Sequence, residues 1–301
     1  MPSLRFRERL TLSDGRPRRA AYVLPSLFTA GNLFLGFFAI LRAFQGAMEA
    51  TAGRLGYNEH FEAAAISIGV SVFLDGLDGR IARLTNTVSE FGRELDSLAD
   101  VIAFGVAPAV LAWAWGFQFN DGSLPPRLHT QLLQVGYFLV FVFVLCGAAR
   151  LARFNIAVDP RPANPGRPGK KYFVGLPIPA AAGMVASVVY ASGSEPLTAW
   201  PYTVALAALL ALLSFLMVST WRYRSFKDFN LLTPRSPQSV VLLGIFIFLI
   251  RYYSQAVLLV VSLLYVGSGI VVRIGGIIKR KLRSHPPEEG GEPRQAEAGA
   301  Q

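Results

Sequence analysis

The feature of this sequence that most constrains its fold is a series of long apolar runs separated by short polar segments. Eight runs are present, and most have the roughly 20 residues that a helix needs to cross a bilayer. The 301 residues are 52% hydrophobic and only 16% charged, which is typical of a membrane protein rather than a soluble domain. We therefore predict an all-α polytopic membrane protein. The predicted spans are 24–44, 63–78, 95–117, 132–149, 172–191, 200–220, 239–250 and 255–274.

The predicted chain has four parts. A basic cytoplasmic tail, 1–22, precedes a six-helix core, 23–220. Two extra C-terminal membrane helices follow in 221–278, joined by a tight turn at 251–253, although the first of them is short for a span. The remainder, 279–301, is charged, is rich in Pro, Gly and Glu, and is predicted to be disordered.

Basic residues are unevenly distributed between alternate loops. With the N-terminus inside, the outside loops contain only Arg54, Arg127 and Arg251, out of 29 Lys and Arg residues in the chain. The positive-inside rule then predicts a multi-pass protein of the cell membrane with both termini in the cytoplasm. The chain has a net charge of +10, and its basic residues cluster between the apolar runs. This placement indicates contact with anionic lipid headgroups and not with nucleic acid.

Four carboxylates lie within 26 residues between two of these runs. Asp75 and Asp78 are spaced i,i+3, and Asp96 and Asp100 are spaced i,i+4, so each pair shares one face of its own helix. The segment between the pairs is rich in Gly, Thr, Asn and Ser, which predicts a chain reversal over 80–93. Carboxylates at the membrane are costly unless they are paired or bind a cation, so we predict a site where the two pairs converge.

Oxygen ligands without Cys or His suit a hard divalent cation such as Mg²⁺ or Mn²⁺, and two such ions commonly clamp a phosphate. His60, His129 and His285 are all distant from the acids in the predicted topology. The alternative is a solvated loop whose acids pair with nearby arginines. Those arginines are Arg80, Arg83 and Arg93.

The acids belong to a longer pattern, Asp-x2-Asp-Gly-x2-Ala-Arg-x8-Gly-x3-Asp-x3-Asp. This pattern resembles the signature of the CDP-alcohol phosphatidyltransferases, and the sequence matches it at every fixed position. The matching residues are Asp75, Asp78, Gly79, Ala82, Arg83, Gly92, Asp96 and Asp100. The resemblance implies transfer of a phosphatidyl group from CDP-diacylglycerol, release of CMP, and a homodimer.

The resemblance also implies roles for individual residues. The four aspartates would hold two divalent ions on the diphosphate, and Asp100 would in addition be the general base. Gly79, Ala82 and Arg83 would seat the cytidine and phosphates. In the first span, Thr29 and Asn32 share a helical face and are predicted to line the nucleotide site, with packing between helices as the alternative.

Four further stretches, 25–32, 104–109, 150–155 and 173–182, resemble bacterial and archaeal membrane-embedded phosphatidylserine synthases. The resemblance covers roughly residues 20–220 and implies L-serine as the acceptor. Arg150 and Arg153 are spaced i,i+3, and a guanidinium fork suits a carboxylate, while Asn155 could add a hydrogen bond. The alternative for both arginines is anchoring at the positively charged membrane face.

Two other functions remain open at this point. The same chemistry could use another acceptor alcohol, glycerol 3-phosphate or an inositol compound, bound by basic residues of the loop after the fourth span. A cation-coupled transporter could instead use the acids as an ion site. The basic loop residues are Arg161, Arg167, Lys170 and Lys171.

Overall fold

The structure is a computed structural model, and it describes residues 19–85, 90–119, 122–156, 172–224 and 237–283. Most of the two predicted tails, 1–18 and 284–301, and the basic loop residues 161–171 lie outside the described residues, whereas 19–22 and 279–283 are helical. The helices are α1 (Arg19–Thr51), α2 (Glu59–Thr85), α3 (Glu90–Asp100), α4 (Ala107–Gly116), α5 (Pro126–Ile156), α6 (Ile178–Ala191), α7 (Trp200–Val218) and α8 (Pro237–Arg283). A π-helical segment, Val101–Val106, joins α3 to α4, and two short strands, β1 (Tyr172–Val174) and β2 (Arg222–Arg224), form an antiparallel ribbon.

Six helical stretches within the described ranges are long and apolar enough to cross a membrane. Many of their large apolar side chains point outward; Phe138 and Phe141, for example, are more than 60% exposed. Outward-facing side chains of this kind suit lipid rather than water. The predicted all-α polytopic membrane class is therefore confirmed. The six stretches are Leu27–Thr51, Glu59–Leu77, Phe91–Gly116, Pro126–Ile156, Trp200–Val218 and Arg251–Arg273.

The first two helices are longer than the predicted spans and pack along each other. Asn58 caps the start of α2, where its Oδ1 accepts hydrogen bonds from the backbone N–H groups of His60 (3.0 Å) and Phe61 (3.3 Å). At its other end α2 continues to Thr85, so the predicted chain reversal over 80–93 is wrong for its first six residues. It is also wrong for its last four residues, which belong to α3. Gly79, directly before this stretch, lowers helix propensity but does not end a helix by itself.

The centre of the bundle is built from small residues. Ala39, Ala43, Ala103 and Ala107 are all fully buried. A Cβ placed on Gly36 of α1 would lie 2.7 Å from the Cα of Ala103, so only glycine allows this approach of the two backbones. Close backbone packing through small residues is the common mode of association between membrane helices. Here it holds α1 against the helix that carries the second aspartate pair.

The third predicted span is one continuous helical path that contains the π-helical segment directly after Asp100. The N–H of Ala107 bonds to the carbonyl of Ile102, five residues earlier. Pro108 is the next residue; it has no N–H, and its ring would clash with the carbonyl four residues before it in a regular α-helix. The wider π turn accommodates this proline. Single π turns are frequent at functional sites.

The fifth predicted span, 172–191, is wrong in its first part. Strand β1 and a turn precede a helix, α6, of only 14 residues. Gly175 has a φ of +77°, and a Cβ there would lie 2.5 Å from the carbonyl oxygen of Met217, so this turn requires glycine. Pro177 follows, and the helix begins after it. Strand β1 pairs with β2, which lies between the predicted sixth and seventh spans.

The predicted seventh and eighth spans form α8, in which two helical segments meet at Tyr253. This residue has non-helical φ and ψ of −132° and 35°. The interruption lies where the turn was predicted, but it is a kink at one residue rather than a loop. Among the described residues, Arg251–Arg273 meets the length and hydropathy expected of a span.

Candidate active site

Three of the four predicted acids meet at one place. Asp75 comes from α2, and Asp96 and Asp100 come from one face of α3. Their carboxylate oxygens lie within 4.8 Å of one another. Asp100 is 8% exposed, and the other two are half-buried. The backbone of Asp78 lies in α2, three residues after Asp75, but nothing is described of its side chain.

This cluster fits a divalent cation. Like charges at such short range repel strongly in a partly buried setting, and a cation removes that repulsion. Carboxylate oxygens are the preferred ligands of Mg²⁺ and Mn²⁺. The alternative, acids paired with nearby arginines, finds no support at Arg93, whose ion pair is with the exposed Glu94 at 3.4 Å. The side chains of Arg80 and Arg83 are not described.

A buried polar chain links the cluster to the first two helices. The Asn32 amide on α1 donates a hydrogen bond to Oδ1 of Asp100 at 3.3 Å, and the Ser71 hydroxyl on α2 donates to Oδ1 of Asn32. Asn32 is 2% exposed and Ser71 is fully buried. Buried polar groups need partners, so this chain orients Asp100 as well as satisfying both residues.

The other predicted nucleotide-site residues are placed less completely. Thr29 lies one turn before Asn32 on the same face of α1 and is 5% exposed. Gly79, Ala82 and Arg83 lie in the last turns of α2, and only their helical backbone is described. Gly92 lies in the first turn of α3, one helical turn before Asp96.

The predicted acceptor residues lie in the last turns of α5, and they separate into three environments. Arg150 is half-buried, and its Nε is shielded from solvent and has no hydrogen-bond partner among the described residues. The Arg150 guanidinium lies within electrostatic range of Asp100. Arg153 is exposed. Asn155 donates a hydrogen bond from its side chain to Oγ of Ser97 at 2.9 Å, which ties α5 to α3.

Ser71 and Ser97 are polar residues of the site that the sequence reasoning missed. Ser71 lies four residues before Asp75, so the two share a face of α2. Ser97 directly follows Asp96. The spacing of Ser71 was a usable signal, because a serine on the aspartate face of an otherwise apolar helix is a candidate hydrogen-bond partner.

A family model described as CDP-alcohol phosphatidyltransferase matches residues 22–218. The chain therefore belongs to the CDP-alcohol phosphatidyltransferase family, and it is a membrane-embedded transferase of phospholipid biosynthesis.

Similar proteins come from bacteria, archaea and yeast. A CDP-diacylglycerol–serine O-phosphatidyltransferase of Helicobacter pylori is 39% identical over 212 residues, which cover 70% of this chain and 76% of that protein. A protein of the same name from Bacillus subtilis is 33% identical, over a region that covers 68% of this chain and 91% of that protein. The archaetidylserine synthase of Methanothermobacter thermautotrophicus is also 33% identical, over a region that covers 66% of this chain and 69% of that protein.

Proposed function

We propose that this protein transfers a phosphatidyl group from CDP-diacylglycerol to L-serine in a divalent-metal-dependent reaction that yields phosphatidylserine and CMP. The observation that carries the proposal is the convergence of Asp75, Asp96 and Asp100 from two helices. The names of the similar proteins support serine as the acceptor.

The aspartates, with Asp78, would hold two Mg²⁺ or Mn²⁺ ions. Bound there, the ions would neutralise the diphosphate and the charge that develops on departing CMP. Gly79, Ala82 and Arg83 are proposed to bind the CDP moiety from the end of α2. Thr29 and Asn32 are proposed to line the same pocket from α1, where both are buried.

Asp100 is the proposed general base. Its carboxylate would take the proton of the serine hydroxyl as that oxygen bonds to the phosphorus of the phosphatidyl group and the bond from this phosphorus to CMP breaks. The Asn32 amide supports this role because it holds one carboxylate oxygen at 3.3 Å. A base that is held in one orientation needs less reorganisation at the moment of proton transfer.

Arg150 is the proposed contact for the serine carboxylate. A guanidinium that is half-buried and whose shielded Nε has no hydrogen-bond partner among the described residues is costly unless a ligand completes its hydrogen bonds. Arginine can bind a carboxylate through two parallel hydrogen bonds. Arg153 and Asn155 are proposed as secondary contacts, although Asn155 already bonds to Ser97.

The distribution of basic residues supports an active site at the cytoplasmic face of the cell membrane, with both termini in the cytoplasm. A homodimer is proposed from the family resemblance alone. The four-part division into tail 1–22, core 23–220, extra helices 221–278 and tail 279–301 also remains a proposal.

The test is CMP release by the purified full chain from CDP-diacylglycerol, with a panel of alcohols and with Mg²⁺, Mn²⁺ or a chelator. We expect release that requires both serine and metal and that Asp100→Asn abolishes. Glu94→Gln is the matched control, because Glu94 is an exposed acid on the same helix. If CMP is released with glycerol 3-phosphate or an inositol compound and not with serine, that alcohol replaces serine as the proposed acceptor. If no CMP is released under any condition, the cation-coupled transporter is favoured.

The acceptor contact is tested by exchanging Arg150 for lysine, which keeps the charge but loses the planar fork. The serine KM should rise roughly tenfold, as expected for one charged hydrogen bond. Arg127→Lys is the control, since that side chain is exposed at the opposite end of the same helix. Equal effects of the two exchanges would remove Arg150 from the acceptor site.

A further inference from the structure

The C-terminal end of α5 presents one polar side chain to the interior of the bundle. Gly147 and Leu151 are buried on one face of this helix, and Asn155 follows at the same i,i+4 interval. Its neighbours Phe154 and Ile156 are exposed, whereas Asn155 is half-buried. Asn155 therefore lies at the end of the face with which α5 packs on the rest of the protein.

Two hydrogen bonds in series connect this amide to α3. The Asn155 Nδ2 donates to Oγ of Ser97 at 2.9 Å, and the Ser97 hydroxyl donates to the backbone carbonyl oxygen of Arg93 at 3.0 Å. A hydroxyl has one proton, and that of Ser97 is used on Arg93, so its oxygen accepts from Asn155. The amide nitrogen of Asn155, and not its oxygen, must therefore face α3. The series joins the end of α5 to the first turns of α3.

The part of α3 that is held in this way carries Asp96, the residue directly before Ser97. The carboxylate oxygens of the acid cluster lie within 4.8 Å of one another, so without a cation their like charges push Asp96 away from Asp75. Helix ends open more easily than helix centres, and α3 begins only at Glu90. The contact from α5 opposes this movement. Beyond Asp100, α5 also packs along the π-helical segment.

From this geometry we propose that Ser97 and Asn155 are positioning residues for the metal site. Their hydrogen bond keeps Asp96 within the acid cluster before an ion binds. The proposal rests on the proposed function, because it takes the acids to be the metal site of that reaction. Ligands that are already held in place lose less conformational freedom when the ion binds, so the ion binds more tightly. Asn155 acts on Asp96 through Ser97 and α3, and this role does not require contact with the acceptor.

The first test is Mn²⁺ binding to the purified full chain without substrates, measured from the electron paramagnetic resonance signal of free Mn²⁺. Ser97→Ala and Asn155→Ala should each raise the Mn²⁺ Kd about fivefold, as expected for the loss of one neutral hydrogen bond. Ser97→Thr should keep the wild-type Kd, because its hydroxyl can make both bonds. Ser67→Ala is the matched control, since the Ser67 hydroxyl makes the same bond to the carbonyl four residues earlier, at 2.7 Å, and has no other hydrogen bond among the described residues.

The second test combines the two exchanges. If the side chains act through one shared bond, the double variant of Ser97→Ala and Asn155→Ala should bind Mn²⁺ no more weakly than either single variant. Losses of affinity that multiply in the double variant would overturn the inference, because each residue would then act alone. An unchanged Mn²⁺ Kd in Ser97→Ala would overturn it as well. A merely structural role would lower the melting temperature of the metal-free protein and leave the Mn²⁺ Kd as it is.

CMP release by the same preparations separates this inference from the proposed function. At saturating Mn²⁺, the serine KM of Asn155→Ala should change less than about twofold. If that KM rises while the Mn²⁺ Kd stays at the wild-type value, Asn155 is an acceptor contact and only the present inference is overturned. A wild-type chain that binds Mn²⁺ but releases no CMP with serine refutes the proposed function, and the Mn²⁺ affinities of the variants then decide the inference by themselves. A wild-type chain that binds no Mn²⁺ refutes both.

Discussion

Asn32 offers the sharpest test of how the fold prepares the acid cluster. Its amide donates to Asp100, and its carbonyl oxygen accepts from Ser71, so one side chain connects three helices. Asn32→Leu keeps a side chain of similar size but removes both hydrogen bonds. The exchange leaves the Ser71 hydroxyl and one oxygen of Asp100 facing methyl groups in a buried site.

The expected size of the effect follows from the geometry. A hydrogen bond to a charged group contributes about 1.5–3 kcal/mol, and the 3.3 Å distance to Asp100 is long, which favours the lower end. About 1.5 kcal/mol corresponds to a roughly tenfold loss of kcat/KM. The stranded Ser71 hydroxyl adds about 1–3 kcal/mol of lost folding stability.

The assay is metal-dependent CMP release at saturating serine, with a titration of Mg²⁺ or Mn²⁺. Asn32→Leu should lower kcat/KM and raise the metal concentration that gives half-maximal rate, because Asp100 is no longer held in place. Ser71→Ala should have a smaller effect, since it removes only the neutral bond and leaves the Asn32 amide on Asp100. Ser67→Ala is the control, because the hydroxyl of Ser67 donates to the Ala63 carbonyl of its own helix, at 2.7 Å, and has no other hydrogen bond among the described residues.

The reasoning fails if Asn32→Leu retains the wild-type kcat/KM and metal requirement. It also fails if Ser71→Ala impairs the reaction more than Asn32→Leu does. In either case Asp100 would be oriented by other contacts, and the polar chain would serve packing alone.

Two further predictions concern stability. Gly36→Ala should destabilise the protein by about 1–3 kcal/mol, measured by thermal unfolding in detergent, because the new methyl group would overlap the backbone of Ala103. Gly31→Ala is the control and should be tolerated, because a Cβ there meets a side chain at 4.0 Å. Equal losses of stability in the two variants would contradict the close approach of the backbones at Gly36. Burial raises the pKa of Tyr223 to about 12 from an ordinary value of 10.0, so the folded state holds this proton more tightly than the unfolded state. That contribution, at most about 2.7 kcal/mol, is present below pH 10 and is lost as the pH rises to about 12; Tyr223→Phe should flatten this part of the stability profile, and an unchanged profile would contradict the assignment.

Much of the membrane class and the position of the acid cluster could be predicted from local pattern. An apolar run of membrane length has few options in a bilayer, where the backbone must satisfy its own hydrogen bonds. Likewise, the i,i+4 spacing of Asp96 and Asp100 puts both carboxylates on one face of any helix. These inferences need only the helical period and the cost of burying charge.

The ends of elements were less predictable. The extension of α2 to Thr85, the start of α6 after Pro177 and the ribbon between β1 and β2 depend on which partners the chain meets. Gly175 illustrates the difficulty: the letter marks a possible turn, but the approach of the Met217 carbonyl that makes glycine necessary comes from another helix. Contacts between residues far apart in the chain leave no periodic trace in sequence.

The sequence by itself determined a helical membrane protein with a set of carboxylates that a divalent cation suits, because spacing and hydropathy are local properties. Only the tertiary structure decided that Asn32 holds Asp100, that Arg150 is half-buried whereas Arg153 is exposed, and that α8 packs against Tyr223 of the ribbon. Each of these depends on which helix faces which, and that is settled by close packing at residues such as Gly36 and by the desolvation of polar groups that only the assembled bundle buries.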